Sequence, residues 1–372
     1  IDVSLVGSEM CIRDRFRSGV DMQTMKEIFE EIEASGGLTP SRRLKDIANR
    51  FPDQVAFRDK RYGIWNEITY GEFWTQVQYV GCALNYFGIE KTDKVAIHSE
   101  NRPEWLIADI GVQAIGGISV GLYPTNPPAE VQYLLSHSES KILFAEDQEQ
   151  VDKALEVLDD VPNLSKIIYF EEKGLFRYDS EKLMRWDEFL EIGKQEYENN
   201  KDFVNFRLDE IKSEDVALMI YTSGTTGPPK ASMLSHGNME WTASIIPDLS
   251  FTPNISNPEY LSYLPLCHVF GRLVDEIIAI NSIGTINFAE SIDTVQRDLA
   301  EIQPSIFPAV PRILERMHAG TLVRMKDASR LKKLLFRIAT YFGDITAKRR
   351  LEDPNDFIAR ITNFIAQGLA FR

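Results

Sequence analysis

At 372 residues and 44% hydrophobic content, the chain can build two or three domains' worth of structure around a large core. A formal charge of −15 argues against a nucleic-acid surface and means that an anionic ligand must be met by local positive features. Cys11, Cys82 and Cys267 stand at unrelated spacings, which excludes a disulfide framework or thiolate metal site and suits a reducing compartment. No apolar run approaches the roughly 20 residues that span a bilayer, so the sequence reads as a cytoplasmic protein.

Residues 1–16 show no sustained periodicity and read as a non-native scar outside the fold. A helix-like run, Leu44–Phe51, then leads to Val55-Ala56-Phe57-Arg58. From there the pattern alternates: an amphipathic segment at 71–86, a strand at 94–98, a helix at 103–115, a strand at 117–121, a helix at 128–137 and a strand at 141–145. Strands interleaved with helices of this length predict parallel βαβ units and an α/β fold. Gly116, Gly117 and Gly121 are assigned to tight helix–sheet packing, and Arg102 and Glu104 to solvated or paired positions. The polar stretch 171–213 reads as surface decoration and as the possible seam between domains.

After a strand predicted at 215–221 comes Tyr221-Thr222-Ser223-Gly224-Thr225-Thr226-Gly227-Pro228-Pro229-Lys230. The two glycines permit positive φ and close backbone approach, so consecutive N–H groups can turn inward on an anion. Thr222, Ser223, Thr225 and Thr226 add hydroxyl donors, Lys230 adds charge, and Pro228-Pro229 stiffens the exit. Such a loop is built to hold phosphate. It is not a Walker A loop, because Pro229 and Ala231 stand where glycine and Ser/Thr would be required, and no G-x-G-x-x-G occurs.

Further on, Leu264-Pro265-Leu266-Cys267-His268-Val269-Phe270-Gly271-Arg272 sets a histidine among apolar residues just past a strand–proline junction. Cys267 reads as a small buried hydrophobe, and His236 as a structural residue beside a helix start at Asn238. Pro311 suits a first helical turn, followed by Arg312. Residues 322–350 carry nine Lys/Arg against two Asp, with Leu331, Leu334, Leu335, Ile338 and Phe342 on one face of a predicted basic amphipathic helix. That helix could pack on a core or lie against a membrane surface.

The run from Tyr221 through His236 resembles the phosphate-loop signature of the acyl-adenylate-forming superfamily, which includes acyl-CoA synthetases, luciferases and peptide-synthetase adenylation domains. Leu264–Arg272 and Ile306–Glu315 resemble segments of the long-chain fatty acyl-CoA synthetases, although Gly271 stands where long-chain members commonly carry glutamate. The resemblance covers roughly residues 25–372. It implies the large N-terminal domain of the acetyl-CoA-synthetase-like fold, with mostly parallel sheets flanked by helices. It further implies that a long-chain fatty acid attacks ATP to give acyl-AMP and pyrophosphate, after which coenzyme A takes the acyl group. On that resemblance Thr222, Ser223, Gly224, Thr225, Thr226, Gly227 and Lys230 would grip the β- and γ-phosphates. Thr226 would help position Mg²⁺, and His268 would be the catalytic residue beside the acyl-adenylate.

The family's downstream Tyr-Gly-x-Thr-Glu segment, its ribose-binding aspartate and the small C-terminal domain with the adenylation lysine are not found. The expectation is therefore an N-terminal piece, truncated and inactive by itself. A non-catalytic nucleotide- or acyl-binding remnant, or another adenylating ligase for aryl or medium-chain acids, stands as the alternative.

Overall fold

Thr39 opens the first described helix because its hydroxyl accepts from the Arg42 N–H at 3.2 Å, while Pro40 occupies the first turn, where a missing N–H breaks no bond. The computed structural model describes residues 39–222, 227–245, 257–352 and 356–370, and divides into two units between Phe307 and Pro308. The segments 1–16 and 17–38 lie outside the described residues.

The first unit runs α1 (Pro40–Arg50), β1 (Val55–Arg61), β2 (Ile64–Thr69), α2 (Tyr70–Tyr86), β3 (Lys94–His98), α3 (Pro103–Ala114), β4 (Ile118–Leu122), α4 (Pro128–Ser138), β5 (Ile142–Ala145) and α5 (Gln148–Glu156). It continues through β6 (Lys166–Tyr169), β7 (Leu183–Arg185), α6 (Trp186–Asn199), α7 (Phe203–Asp209), β8 (Val216–Thr222), β9 (Lys230–Ser235) and α8 (His236–Ile245). Its last part holds β10 (Glu259–Ser262), α9 (Val269–Arg272), a π-helical stretch (Leu273–Ile278), β11 (Thr285–Phe288) and α10 (Val295–Ile302).

These strands form a seven-stranded sheet in the order β7-β6-β5-β3-β4-β8-β9 and a four-stranded sheet in the order β10-β11-β1-β2. Only β9 and β2, both at edges, run antiparallel to their neighbours. The predicted α/β class with mostly parallel sheets is what is observed. The central strands β4 and β5 are buried at every position, as a parallel sheet covered on both faces requires. Helix α2 starts with a reciprocal cap: Thr69 Oγ1 accepts from the Glu72 N–H at 3.2 Å, and Glu72 Oε2 accepts from the Thr69 N–H at 2.8 Å.

The stretch 171–213 is not decoration. It supplies β7, which pairs with β6, and α6, which packs so closely on α2 that a Cβ at Gly193 would lie 2.0 Å from the Tyr79 carbonyl oxygen. Phe144, Phe170, Trp186 and Phe189 form one aromatic cluster there, with edge-on contacts of 5.2–5.7 Å among them. The helix after β9 also begins earlier than expected. Ser235 caps it, accepting from the Asn238 N–H at 3.2 Å while Asn238 Oδ1 accepts from the Ser235 N–H at 3.1 Å.

The second unit comprises α11 (Pro311–Lys326), α12 (Arg330–Glu352) and α13 (Phe357–Ala370). Pro311 takes the first helical turn as expected. The single basic helix predicted across 322–350 is instead two helices, broken at 327–329 by a serine turn in which Ser329 accepts from the Lys332 and Lys333 N–H groups. Helix α12 packs on α13 through buried Ala339, Thr346, Ala359 and Thr362, with the two threonine hydroxyls 2.6 Å apart. Among the described residues no helix is long and apolar enough to cross a membrane.

Several titratable groups of the first unit are buried. Burial lowers the imidazoles of His98 and His236 to about 4, and it pushes the Asp275 carboxyl up to about 7, opposed by the Ser262 hydroxyl at 2.5 Å. Glu276 is likewise held well above the carboxylate range, by burial first and then by Asp109. A carboxyl whose folded value is raised favours the protonated folded state, so its contribution is full at low pH and is lost as pH rises through about 7. Asp275→Asn keeps an acceptor for Ser262 and removes this titration. Melting temperatures measured from about pH 5 to about pH 8 should show the parent losing stability relative to Asp275→Asn as pH rises. Parallel curves would mean that Asp275 does not titrate in this range.

Candidate functional site

In the seven-stranded sheet the chain passes from β3 to β4 on one side and then crosses back to β5 on the other, so the order reverses between β3 and β4. Connections leaving on opposite faces open a crevice at the carboxyl ends of the strands at such a point, and open α/β sheets bind ligands there. Strand β8 lies beside β4 and parallel to it, so its carboxyl end, Thr222, reaches the same edge.

The loop predicted to hold phosphate leaves from that edge. Thr222 and Lys230 are direct cross-strand partners of the β8–β9 pair, and both side chains are exposed. Gly227 adopts φ +101°, with no atom within 4 Å of where a Cβ would stand, so backbone conformation rather than crowding calls for glycine. The structure thus places Thr222, Gly227 and Lys230 of the predicted set. Ser223, Gly224, Thr225 and Thr226 lie outside the described residues, and with them the hydroxyl assigned to Mg²⁺. Among the described residues no group of three or more His, Cys, Asp or Glu could hold a metal ion.

The second segment arrives from the other sheet, following β10. Asn101, just past β3, ties it down with three bonds: its Nδ2 donates to Ser262 Oγ at 2.9 Å and to the Leu264 carbonyl at 2.7 Å, and its Oδ1 accepts from the Leu266 N–H at 3.0 Å. Arg272 anchors the same segment from below. Its Nε donates to the Leu266 carbonyl at 3.1 Å, its Nη2 lies 3.2 Å from Asp109 Oδ1 and 3.3 Å from Ser119 Oγ, and its guanidinium lies 4.6 Å over the Trp105 ring. Gly121 then lets the segment close on the sheet, because a Cβ there would stand 2.8 Å from Cys267 Cα. Gly121 pairs with Ile220 of β8, two residues before Thr222, so both segments meet the same sheet edge.

His268 is exposed and caps α9, its Nδ1 accepting from the Phe270 N–H at 3.2 Å. In the neutral ring that bond puts the proton on Nε2, which can then donate to a ligand oxygen. Cys267 is buried and its thiol is pushed up to about 12 by burial, which agrees with the small-hydrophobe reading and leaves it inert. At Gly271 a Cβ would lie 2.3 Å from the Pro265 carbonyl oxygen, so this chain's turn excludes any side chain there. Arg102 is paired as expected, with Glu104 at 2.9 Å and Glu171 at 2.8 Å.

Sequence reading missed Asn101 and Arg272. Asn101 opens a run whose charged residues read as surface ion pairs, and its own three partners lie more than 160 positions away. Arg272 closes an otherwise apolar motif and gives no sign of being buried.

The profile described as AMP-binding enzyme matches residues 44–352. The chain is 30% identical over 321 residues to a long-chain-fatty-acid–CoA ligase, ACSBG2, of Xenopus laevis, covering 84% of this chain and 42% of that protein. It is 31% identical over 287 residues to long chain acyl-CoA synthetase 4 of Arabidopsis thaliana, covering 73% of this chain and 41% of the relative. The chain therefore spans less than half the length of these relatives. Among solved structures, a putative long-chain-fatty-acid CoA ligase from Rhodopseudomonas palustris superposes with a TM-score of 0.61 at 20% identity, over 75% of this chain and 65% of that one. ATP-bound MatB from the same species gives 0.59 at 21% identity, over 75% and 50%. With residues 44–352 matched in this way, this chain belongs to the AMP-binding enzyme family.

Proposed function

We propose that the chain carries the nucleotide-activating part of a cytoplasmic, AMP-forming acid–thiol ligase for long-chain fatty acids. One observation supports this most: two segments from different sheets, one suited to phosphate and one bearing His268, converge on the carboxyl edge beside the switch between β3 and β4. The relatives' names support the long-chain acid and coenzyme A as substrates.

A carboxylate is a poor electrophile, so activation requires its oxygen to attack the α-phosphorus of ATP. A P–O bond forms to the acid, the bond to the β-phosphate bridge breaks, and pyrophosphate leaves with the electron pair. Two anions must approach, and Lys230 with the loop's hydroxyl and N–H donors offsets their repulsion. Mg²⁺ would bind chiefly through nucleotide phosphate oxygens, with the Thr226 hydroxyl as its protein contact, and would neutralise charge there. The Nε2–H of His268 would donate to the acyl-adenylate. The coenzyme A thiolate then attacks the acyl carbon and AMP departs.

Lys230→Ala should weaken MgATP and pyrophosphate binding by roughly ten- to a hundredfold, the loss of one charge-assisted bond. Calorimetric titration that finds unchanged affinities would remove the loop from the nucleotide site. Asn101→Ala releases Leu264 and Leu266, so affinity for a fluorescent long-chain fatty acid should fall while MgATP affinity holds. Equal losses for both ligands would contradict the division of the site into two segments.

For α12 we propose contact with an anionic lipid surface. Arg330, Lys332, Lys333 and Arg337 share the helix with Leu331 and Leu334, which are 65% and 54% exposed. Lys332→Glu with Lys333→Glu should reduce binding to phosphatidylserine vesicles by about 1 kcal/mol per charge removed, and added salt should do the same. Vesicle binding identical to the parent's would leave this helix a packing element only.

A further inference from the structure

Helix α4 carries Tyr133 and His137 one turn apart, on one face, and each reaches a different arm of the loop between β8 and β9. The Tyr133 hydroxyl donates to the carbonyl of Pro229 at 2.9 Å, immediately before Lys230. Proline has no N–H, so this carbonyl is the only backbone handle that residue offers. His137 Nδ1 shares a 2.8 Å hydrogen bond with the hydroxyl of Tyr221, immediately before Thr222. The rings support the arrangement. Tyr133 and His137 lie 5.3 Å apart at 31°, and His137 meets Tyr221 edge-on at 5.7 Å and 78°.

Both contacts fall where the ladder ends. Tyr221 pairs with Ala231 and Thr222 with Lys230, and beyond those pairs the chain enters the loop. Pairing with β4 ends at Ile220, and beyond it strand pairing fixes the arms only to each other. The α4 contacts fix them to the body of the sheet, because α4 follows β4 directly at the switch point. Tyr221 is buried, and burial pushes its hydroxyl up to about 12, so it stays protonated and available to this bond across the physiological range.

We propose that Tyr133 and His137 are positioning residues for nucleotide phosphate, holding the Tyr221–Thr222 and Pro229–Lys230 arms so that Lys230 meets the anion with less further ordering cost. The proposal rests on the phosphate-loop reading given above. Neither side chain touches the nucleotide; each acts through the arm that it holds.

Tyr133→Phe keeps the ring and removes only the hydroxyl. In the full 372-residue chain it should weaken the affinity for MgATP and for inorganic pyrophosphate by about three- to tenfold, the loss of one neutral hydrogen bond, measured by calorimetry. Fatty-acid affinity and melting temperature should stay at the parent's values. Tyr221→Phe breaks the bond to His137 and should have a similar effect, and the double variant should lose more than either single one. A lowered melting temperature with both ligand affinities reduced alike, or with neither changed, would overturn the proposal in favour of a packing role. Lys230→Ala separates the two levels. If it weakens pyrophosphate binding while Tyr133→Phe does not, only the positioning role fails. If Lys230→Ala has no effect, the phosphate-loop reading fails and takes the positioning role with it.

Discussion

A fully buried guanidinium, that of Arg272, is the constraint around which the first unit's site is arranged. Removing such a cation from water costs several kcal/mol even after relaxation, and the surroundings must return that through geometry. They do so from three elements: Asp109 and Trp105 from α3, Ser119 from β4, and the Leu266 carbonyl from the segment that carries His268. Removing Asp109 would leave the guanidinium without its counter-charge, at a cost of about 3–5 kcal/mol. The histidine is therefore exposed at its tip and rigid at its root.

The two sheets divide the labour. The seven-stranded sheet supplies Thr222 and Lys230 through β8 and β9, and the four-stranded sheet supplies the His268 segment through β10. Asn101 joins them with bonds to Ser262, Leu264 and Leu266, a side-chain link where backbone pairing is impossible. Two close approaches complete the joint, at Gly121 and Gly271, and glycine is the residue that each of them requires.

Whatever depended on local pattern was legible in the sequence. The alternation of apolar strands and amphipathic helices predicted β3, β4, β5 and β8 to within a residue or so, while β6 and β7 went unseen. Errors arose where tertiary partners decide. The polarity of 171–213 came from the solvent side of α6, whose other side holds Phe189 and Gly193 against α2. The basic stretch at 322–350 kept its apolar period across a break that only Ser329 marks. Asn101, Arg272 and Tyr133 look ordinary in sequence because most of their partners lie 96 or more positions away.

Strand β1 pairs in parallel with β11, and across that pairing Arg58 and Asn287 stand 229 positions apart. A chain made from its N-terminus completes every strand of the larger sheet by Ser235, while the β1–β2 hairpin still lacks its neighbour. From the end of β2 at Thr69 to β11, synthesis at ordinary elongation rates takes on the order of ten to fifty seconds. Throughout it β1 presents an open edge, with Phe57 shielded on one side by Phe73 at 4.4 Å but not yet by Phe288. The smaller sheet is thus the last to close and the most exposed to wrong pairing. Its burden falls on the newborn chain, long before any ligand is met.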